Sequence, residues 1–194
     1  MKGQGKQERS RQTIRTILDA AILVLIDEGF ERSTTNRIAS RAGYSVGTLY
    51  QYFDDKDDIY GTIVDEALMK LTESTSNVTI QPTLIETLRT WLELVLASLE
   101  QDPATIQALI TLINGRYLEK QLAMFDDLVA STARLLEAHR DVIVVDNLEL
   151  AAGVIIAATS GLTASEIASV LESQEMVQHI LRLQFAYLTL DAEL

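Results

Sequence analysis

A run of hydroxyl, amide and basic side chains between residues 34 and 56 has the chemistry of a nucleic-acid contact. Hydroxyl groups and a lysine can donate to phosphate oxygens, and hydroxyls and amides can reach the edges of bases. The arginines at positions 37 and 41 stand four residues apart, so a helix would place both on one face. The candidate contacts to double-stranded DNA are Thr34, Thr35, Arg37, Arg41, Ser45, Val46, Gly47, Thr48, Tyr50, Gln51, Tyr52 and Lys56.

The same stretch predicts two short helices joined by a glycine turn. Thr34 or Thr35 can cap the first helix by accepting from an unpaired backbone N–H, and Gly43 supplies the left-handed residue that ends it. Ser45 then caps a second helix, which leaves Gly47 facing outward. Two helices with such a turn form the helix-turn-helix unit, whose second helix fits the major groove. An ordinary helical hairpin with a solvated polar face is the alternative.

The string TTNRIASRAGYSVGTLYQYFDDK, residues 34–56, closely resembles the signature of the TetR (tetracycline repressor) family of transcriptional regulators. The preceding helix resembles that family too, through Glu28, Gly29 and Phe30 and the alanine pair before them. The resemblance covers roughly residues 10–65. Val46 departs from the polar residue that many relatives carry there.

The resemblance implies an all-α protein of about nine helices. Residues 1–53 would form a three-helix helix-turn-helix DNA-binding domain, and residues 54–194 a helical domain for ligand binding and dimerisation. It further implies a repressor that binds a palindromic operator as a homodimer and leaves it when a small-molecule effector binds. By the same resemblance, phosphates would be held by Thr35, Tyr50, Tyr52 and Lys56, and bases approached by Ser45, Gly47, Thr48 and Gln51.

The charge distribution is divided in a way that suits a DNA-binding head on an acidic body. The chain carries a formal net charge of −12. Residues 1–53 hold eight Lys/Arg and five Asp/Glu, a net charge of +3, whereas residues 54–194 hold eight and 23, a net charge of −15. An acidic body weakens indiscriminate phosphate binding and leaves local contacts intact. We also expect a cytoplasmic protein, because the chain has no cysteine, no apolar run long enough for a membrane span and no secretory signal.

The C-terminal part offers candidates for the effector site and the dimer interface. Large side chains that could line a ligand pocket, or belong to the core, are Trp91, Tyr117, Met124 and Phe125. Small residues recur at Gly153, Ala157 and Gly161, and two interior glycines cost a helix about 1 kcal/mol each relative to alanine. Close packing, either against a partner or only within the chain, would explain them. The predicted dimer interface comprises Gly153, Ala157, Gly161, Ile180 and Tyr187.

Two other classes of protein are alternatives. An all-α enzyme would need paired Glu-x-x-His motifs, a phosphate loop or an activated nucleophile, and the sequence contains none of these, so we expect no enzyme, metal or cofactor. His139, near a helix end, is expected to be a solvated structural residue. A helical interaction protein with a degenerate helix-turn-helix stays open, as does an activator of the same family.

Overall fold

The structure is a computed structural model that describes residues 2–98, 103–163 and 173–190. These residues form nine α-helices and, within the described ranges, no strand, as the sequence predicts. The helices are α1 (Lys2–Arg32), α2 (Thr35–Ala42), α3 (Val46–Leu49), α4 (Lys56–Ser76), α5 (Leu84–Ser98), α6 (Pro103–Arg116), α7 (Leu118–Glu137), α8 (Leu148–Thr163) and α9 (Ser173–Thr189).

The first helix is longer than the sequence indicates. The periodic apolar stripe predicts a helix from about Ser10 to Glu28 after a mobile arm, whereas α1 begins at Lys2 and ends at Arg32. Gly29, with φ 74° and ψ 165°, leaves the helical conformation and kinks the chain before its last residues. The regular helix therefore ends at Gly29, as its sequence predicts, and the difference from the prediction lies at the start of α1, which begins at Lys2 and not near Ser10.

One compact unit contains residues 1–67 and 101–118. Its interior is built from apolar residues of the first four helices, including Leu18, Ile38 and Leu49, which are at most 1% exposed. The apolar pattern of the first three helices predicts a small core that also includes Leu25, Phe30 and Phe53. Leu25 and Phe53 are buried, whereas Phe30 is half-buried. The helix-turn-helix is thus supported from behind by a packed apolar face, which fixes the direction of its polar face.

The second compact unit contains residues 68–100 and 119–194. Its core gathers apolar side chains from α5, α7, α8 and α9, with Trp91, Leu92 and Ile155 among the most buried. The valine-rich segment 142–145, which the sequence predicts to be a connection and not a strand, forms neither helix nor strand, and the Val144 N–H donates to the carbonyl of Leu188 at 2.9 Å.

The compact units divide the chain at other points than the predicted boundary after residue 53. The first part of α4, residues 56–67, and the segment 103–118 pack with the N-terminal helices, because their apolar residues share the core of that unit. The assignment of DNA binding to residues 1–53 and of ligand binding and dimerisation to residues 54–194 stays a prediction. None of the described helices is long and apolar enough to cross a membrane.

Candidate nucleic-acid interface

Helix α2 is held at both ends by the caps that its sequence predicts. Thr34 is extended, with φ −135° and ψ 153°, and its hydroxyl accepts from the Arg37 N–H at 3.3 Å. At the other end Gly43 has φ 75° and donates to the carbonyl of Ser40 at 3.2 Å. A positive φ is nearly free of strain only for glycine. The turn between the two helices is therefore set by local chemistry.

Helix α3 begins at an equally well-defined cap. The Ser45 hydroxyl accepts from the Thr48 N–H at 3.0 Å and lies 2.9 Å from the Thr48 hydroxyl. Although α3 itself is short, the helical turn continues, since the Phe53 N–H donates to the carbonyl of Leu49 at 3.1 Å. Leu49 is fully buried. Gly47, on the opposite side, is exposed, so the face predicted to approach DNA bases is open.

Hydroxyl pairs fix the tyrosines that follow α3. The Tyr50 and Thr35 hydroxyls lie 3.1 Å apart, and the Ser10 hydroxyl donates to that of Tyr52 at 3.3 Å. Tyr50 and the neighbouring Gln51 are exposed, whereas Tyr52 is half-buried. These hydroxyl pairs link α1 and α2 to the residues that follow α3. Each hydroxyl still has capacity for a further hydrogen bond.

The two arginines of α2 pair with acids of α1. Arg37 forms an ion pair with Glu28, and the Arg41 guanidinium donates to Asp27 at 3.1 Å. Sequence spacing predicts that both arginines face DNA, but it does not show that two acids of another helix lie opposite them. Both side chains are about half exposed. Their charges are partly compensated within the domain, so a phosphate would have to compete with a carboxylate for each.

Lys56 has a partner inside the protein. Its Nζ donates to the carbonyl of Phe30 at 2.9 Å and lies 4.2 Å from the centroid of the Phe30 ring. The sequence suggests a role for Lys56 outside its own helix because a cation is unfavourable in a first turn. The structure supplies one such role: the lysine caps the carbonyl end of α1. The sequence predicts a capping pair of Asp55 and Asp58 at the start of this helix, and Asp55 does cap α4 by accepting from the Asp58 N–H at 2.8 Å.

A buried tyrosine behind the motif was missed by sequence analysis. The Tyr60 hydroxyl lies 2.6 Å from that of Ser33 and donates to the carbonyl of Ala21 at 3.1 Å. Burial raises the pKa of Tyr60, and the hydrogen bond from Ser33 opposes part of that shift. These bonds join α4 to α1 and to the residue before the motif. Only the apolar periodicity of α4, which includes position 60, could have indicated that this tyrosine is buried.

The four predicted pocket residues are divided between the two compact units. Trp91 is 2% exposed in the core of the second unit, and Phe125 packs against that core. Met124 is half-buried. Tyr117 belongs to the first unit, where its hydroxyl donates to the carbonyl of Asp57 at 3.0 Å. Burial and, second, the charge of Asp57 raise the pKa of Tyr117.

The predicted dimer residues divide into exposed and buried members. Ala157, Gly161 and Tyr187 are exposed. Ile180 is 1% exposed inside the core of its own chain, and a Cβ on Gly153 would lie 4.0 Å from Val129 of α7. Those two residues therefore face inward. Sequence periodicity alone cannot tell which side of an apolar helix faces its own chain. The exposed apolar side chains around this stripe, which the sequence analysis left out, are Leu150, Val154, Leu183 and Leu190.

The histidine expected to be solvated is buried. His139 is 6% exposed, and its Nε2 lies 2.8 Å from the Thr87 hydroxyl. The prediction was wrong because the charged residues after His139 point to solvent while the histidine itself turns into the core of the second unit. No group of three or more His, Cys, Asp or Glu side chains suited to a metal ion occurs in the described part of the chain.

Comparison with known proteins agrees with this geometry. Residues 17–63 match the family described as "Bacterial regulatory proteins, tetR family". The A-factor receptor protein of Streptomyces griseus is 44% identical over 61 residues, which are 31% of this chain and 22% of that protein. The chain thus covers less than a quarter of that relative's length.

Solved structures extend the likeness to most of the chain. The TetR family transcriptional regulator PfmR from Thermus thermophilus has a TM-score of 0.71 at 18% identity, covering 91% of this chain and 99% of that one. The SmeT–triclosan complex has a TM-score of 0.72 at 23% identity, covering 93% of each. At these identities the likeness shows a shared fold. Residues 17–63 thus match the tetR family of bacterial regulatory proteins, and the chain shares its fold with a solved TetR family transcriptional regulator.

Proposed function

We propose that the protein is a sequence-specific, DNA-binding transcriptional regulator, a repressor that a small molecule releases from its operator. The observation that carries the proposal is the helix-turn-helix itself. Its turn is fixed by Gly43 and Ser45. Its second helix buries Leu49 and leaves Gly47 exposed, so one face anchors the helix while the other is free to enter a major groove.

Contacts to DNA would be shared between two classes of side chain. The hydroxyls of Tyr50 and Thr35 stand together on the exposed side and suit phosphate oxygens. Thr48, Gln51 and the small Gly47 are placed to approach base edges. Arg37 and Arg41 would contribute only after exchanging Glu28 and Asp27 for phosphates. Lys56 would reach phosphate with the N–H groups that the Phe30 carbonyl leaves free.

A homodimer is the second part of the proposal. One recognition helix reads too few base pairs for useful specificity, and a palindrome requires two helices about 34–36 Å apart or a multiple of that distance. On α8, the positions 150, 154, 157 and 161 form an exposed stripe at helical spacing, and the positions 183 and 187 of α9, with 190 just after its end, form another. Exposed apolar stripes of this kind favour a partner, and a second copy of the chain would bury both.

The small-molecule effector would bind in the second unit, in a protein that acts on DNA in the cytoplasm. The unit has a large apolar core around Trp91, and the indole N–H of Trp91 has no hydrogen-bond partner among the described residues although it is buried. A buried donor without a partner is costly unless something satisfies it. A ligand with an apolar body and one acceptor would do so. The SmeT–triclosan structure, similar in fold, is a small-molecule complex.

Selection from random-sequence DNA duplexes tests the proposal without knowing the operator. The protein is expected to enrich a palindromic site whose half-site centres are one helical turn apart or a multiple of it. Equal retention of all sequences at every salt concentration would contradict sequence-specific binding. It would favour instead a helical protein whose helix-turn-helix no longer reads DNA.

A further inference from the structure

A groove in the first unit lies outside both sites described above. It has a volume of about 540 Å³ and runs between the end of α1 and the last turns of α6. Its floor is largely apolar, with Leu25, Ile26, Phe30 and Leu112 among the lining residues, and Glu31 and Arg116 stand at its polar edge. Grooves of roughly 300–1,000 Å³ with an apolar floor and few polar groups are typical of small-molecule sites.

The arginine of this groove faces two carboxylates. The Arg116 Nε donates to the Asp57 carboxylate at 2.8 Å, and this hydrogen bond is the main cause of the raised pKa of Arg116. The charge of Glu31 raises that pKa further, although Glu31 forms no ion pair with any residue in the described ranges. The charges of Asp55 and Asp65 are felt nearby as well. The pKa of the adjacent Tyr117 is raised by its burial and by Asp57, lowered by Arg116, and raised further by Asp55 and Asp65. The surroundings therefore favour a cation.

The aromatic residue of the groove already attracts cations. The Lys56 Nζ lies 4.2 Å and the Arg116 guanidinium carbon 4.4 Å from the centroid of the Phe30 ring. An aromatic ring attracts a cation over its face because its quadrupole is negative there. Arg116 is about half exposed, so its side chain has space to swing away from the ring.

We propose that this groove binds a lipophilic organic cation. The apolar body of the ligand would lie on Leu25, Ile26 and Leu112, and its charge would face Glu31 and replace the Arg116 guanidinium over the Phe30 ring. The site is distinct from the DNA-reading face and from the effector site proposed for the second unit. Occupation of this site requires neither DNA nor a dimer. The proposal can therefore be tested independently of the proposed function.

Two probes of matched shape and opposite charge test the assignment. Tetraphenylphosphonium and tetraphenylborate are titrated into the full chain by isothermal calorimetry, without DNA. The phosphonium is expected to bind at least about tenfold more tightly, because the rim is negative and the floor is apolar. Equal affinities, tighter binding of the borate, or no binding of the phosphonium would each overturn the proposal.

Variants then locate the bound cation. Gly115 lies in the last turn of α6 at the groove, and a Cβ there would meet no other described atom within 4 Å. Gly115→Phe is expected to fill the groove and lower phosphonium affinity more than tenfold, whereas the matched Gly115→Ala retains it. Phosphonium binding unchanged in a folded Gly115→Phe protein would overturn the site.

A charge variant keeps the test decisive if Gly115→Phe does not fold. Glu31→Gln preserves shape and removes only the carboxylate charge, and Glu31 is exposed, so the fold should tolerate it. Phosphonium affinity is expected to fall about 2–5-fold, as for the loss of an exposed ion pair, with borate affinity unchanged or higher. Unchanged phosphonium affinity in Glu31→Gln would overturn the role of the carboxylate and with it the choice of a cation.

Discussion

The ammonium of Lys56, the first residue of α4, donates to the carbonyl of Phe30 near the end of α1 at 2.9 Å. The same ammonium lies 4.2 Å from the Phe30 ring, so one side chain both caps α1 and packs on its aromatic residue. Lys56 therefore ties α1, which packs behind the helix-turn-helix, to α4, which follows the helix-turn-helix in the chain. Lys56 therefore has a structural role whether or not it also touches DNA.

Replacing Lys56 by alanine should separate these two roles. Loss of a charged hydrogen bond to a half-buried carbonyl is expected to lower the free energy of unfolding by about 1–2 kcal/mol, measured by urea denaturation. Lys70→Ala, an exposed lysine of the same helix, is the control and should change it by less than about 0.5 kcal/mol. If Lys56→Ala and Lys70→Ala unfold at the same urea concentration, the Lys56–Phe30 bond contributes nothing to stability.

Features fixed by neighbouring residues were predictable from the sequence. Thr34, Gly43 and Ser45 cap and terminate helices through atoms three or four residues away, so the motif could be assigned without the tertiary structure. The partners of Arg37 and Lys56 could not, because Glu28 and Phe30 reach them only through packing of separate helices.

The difference between local contacts and contacts between separate helices also explains why two residues of the predicted dimer interface face inward. Gly153 and Gly161 share one helical stripe, yet only Gly161 is exposed. Which side of a nearly all-apolar helix is covered by its own chain depends on α7 and α9, and their positions are not encoded in the periodicity of α8. Single-residue assignments on such a helix therefore need the structure.

Tyr60 should make the unfolding free energy depend on alkaline pH. Because burial raises its pKa in the folded protein above the unfolded value near 10, the folded state holds the phenolic proton more tightly. The stabilisation is complete below pH 10 and is lost as the pH rises through the folded pKa. Tyr60→Phe is expected to cost about 1–3 kcal/mol at pH 7, because Ser33 loses its partner, and this difference should shrink above pH 10.

The control for this series is Tyr44→Phe, which changes a half-buried tyrosine of the turn. It should alter the unfolding free energy by less than about 0.5 kcal/mol at either pH. Urea denaturation of the three proteins at pH 7 and pH 10.5 measures both effects. A Tyr60→Phe protein as stable as the parent at pH 7 would show that the buried hydrogen bonds of Tyr60 are not stabilising.

A charge in the exposed stripe of α8 should disrupt the proposed dimer. Ala157→Glu would place a carboxylate inside an apolar contact, where it would be desolvated without a partner, and is expected to shift the protein toward monomer in light scattering. Ala130→Glu makes the same change at an exposed position of α7 and should leave the mass unchanged. An Ala157→Glu protein with the parent's mass at all concentrations would remove this stripe from the interface.

An effector should weaken operator binding, and the operator should weaken effector binding equally. A ligand changes DNA affinity only through unequal binding to the DNA-bound and free conformations. Helix α4 can carry that difference, since residues 56–67 belong to the unit of the motif and residues 68–76 to the second unit. For a compound found by thermal-shift screening, both affinities should change by the same factor, about 5–150-fold. Equal affinity with and without operator would mean that the compound is no inducer.

The most direct test of the account is the affinity of the selected duplex for the parent protein, Gly47→Ala and Gly47→Glu, measured by fluorescence anisotropy. Gly47 is exposed at the start of α3, and a Cβ there would lie 3.8 Å from the Ser45 hydroxyl, an ordinary contact, so both variants should fold. Gly47→Ala is expected to bind within a few-fold of the parent, whereas Gly47→Glu should lose binding by more than about 100-fold through collision with the groove and repulsion by phosphates. Parent-like affinity in a folded Gly47→Glu protein would contradict the claim that this face of the helix-turn-helix reads DNA.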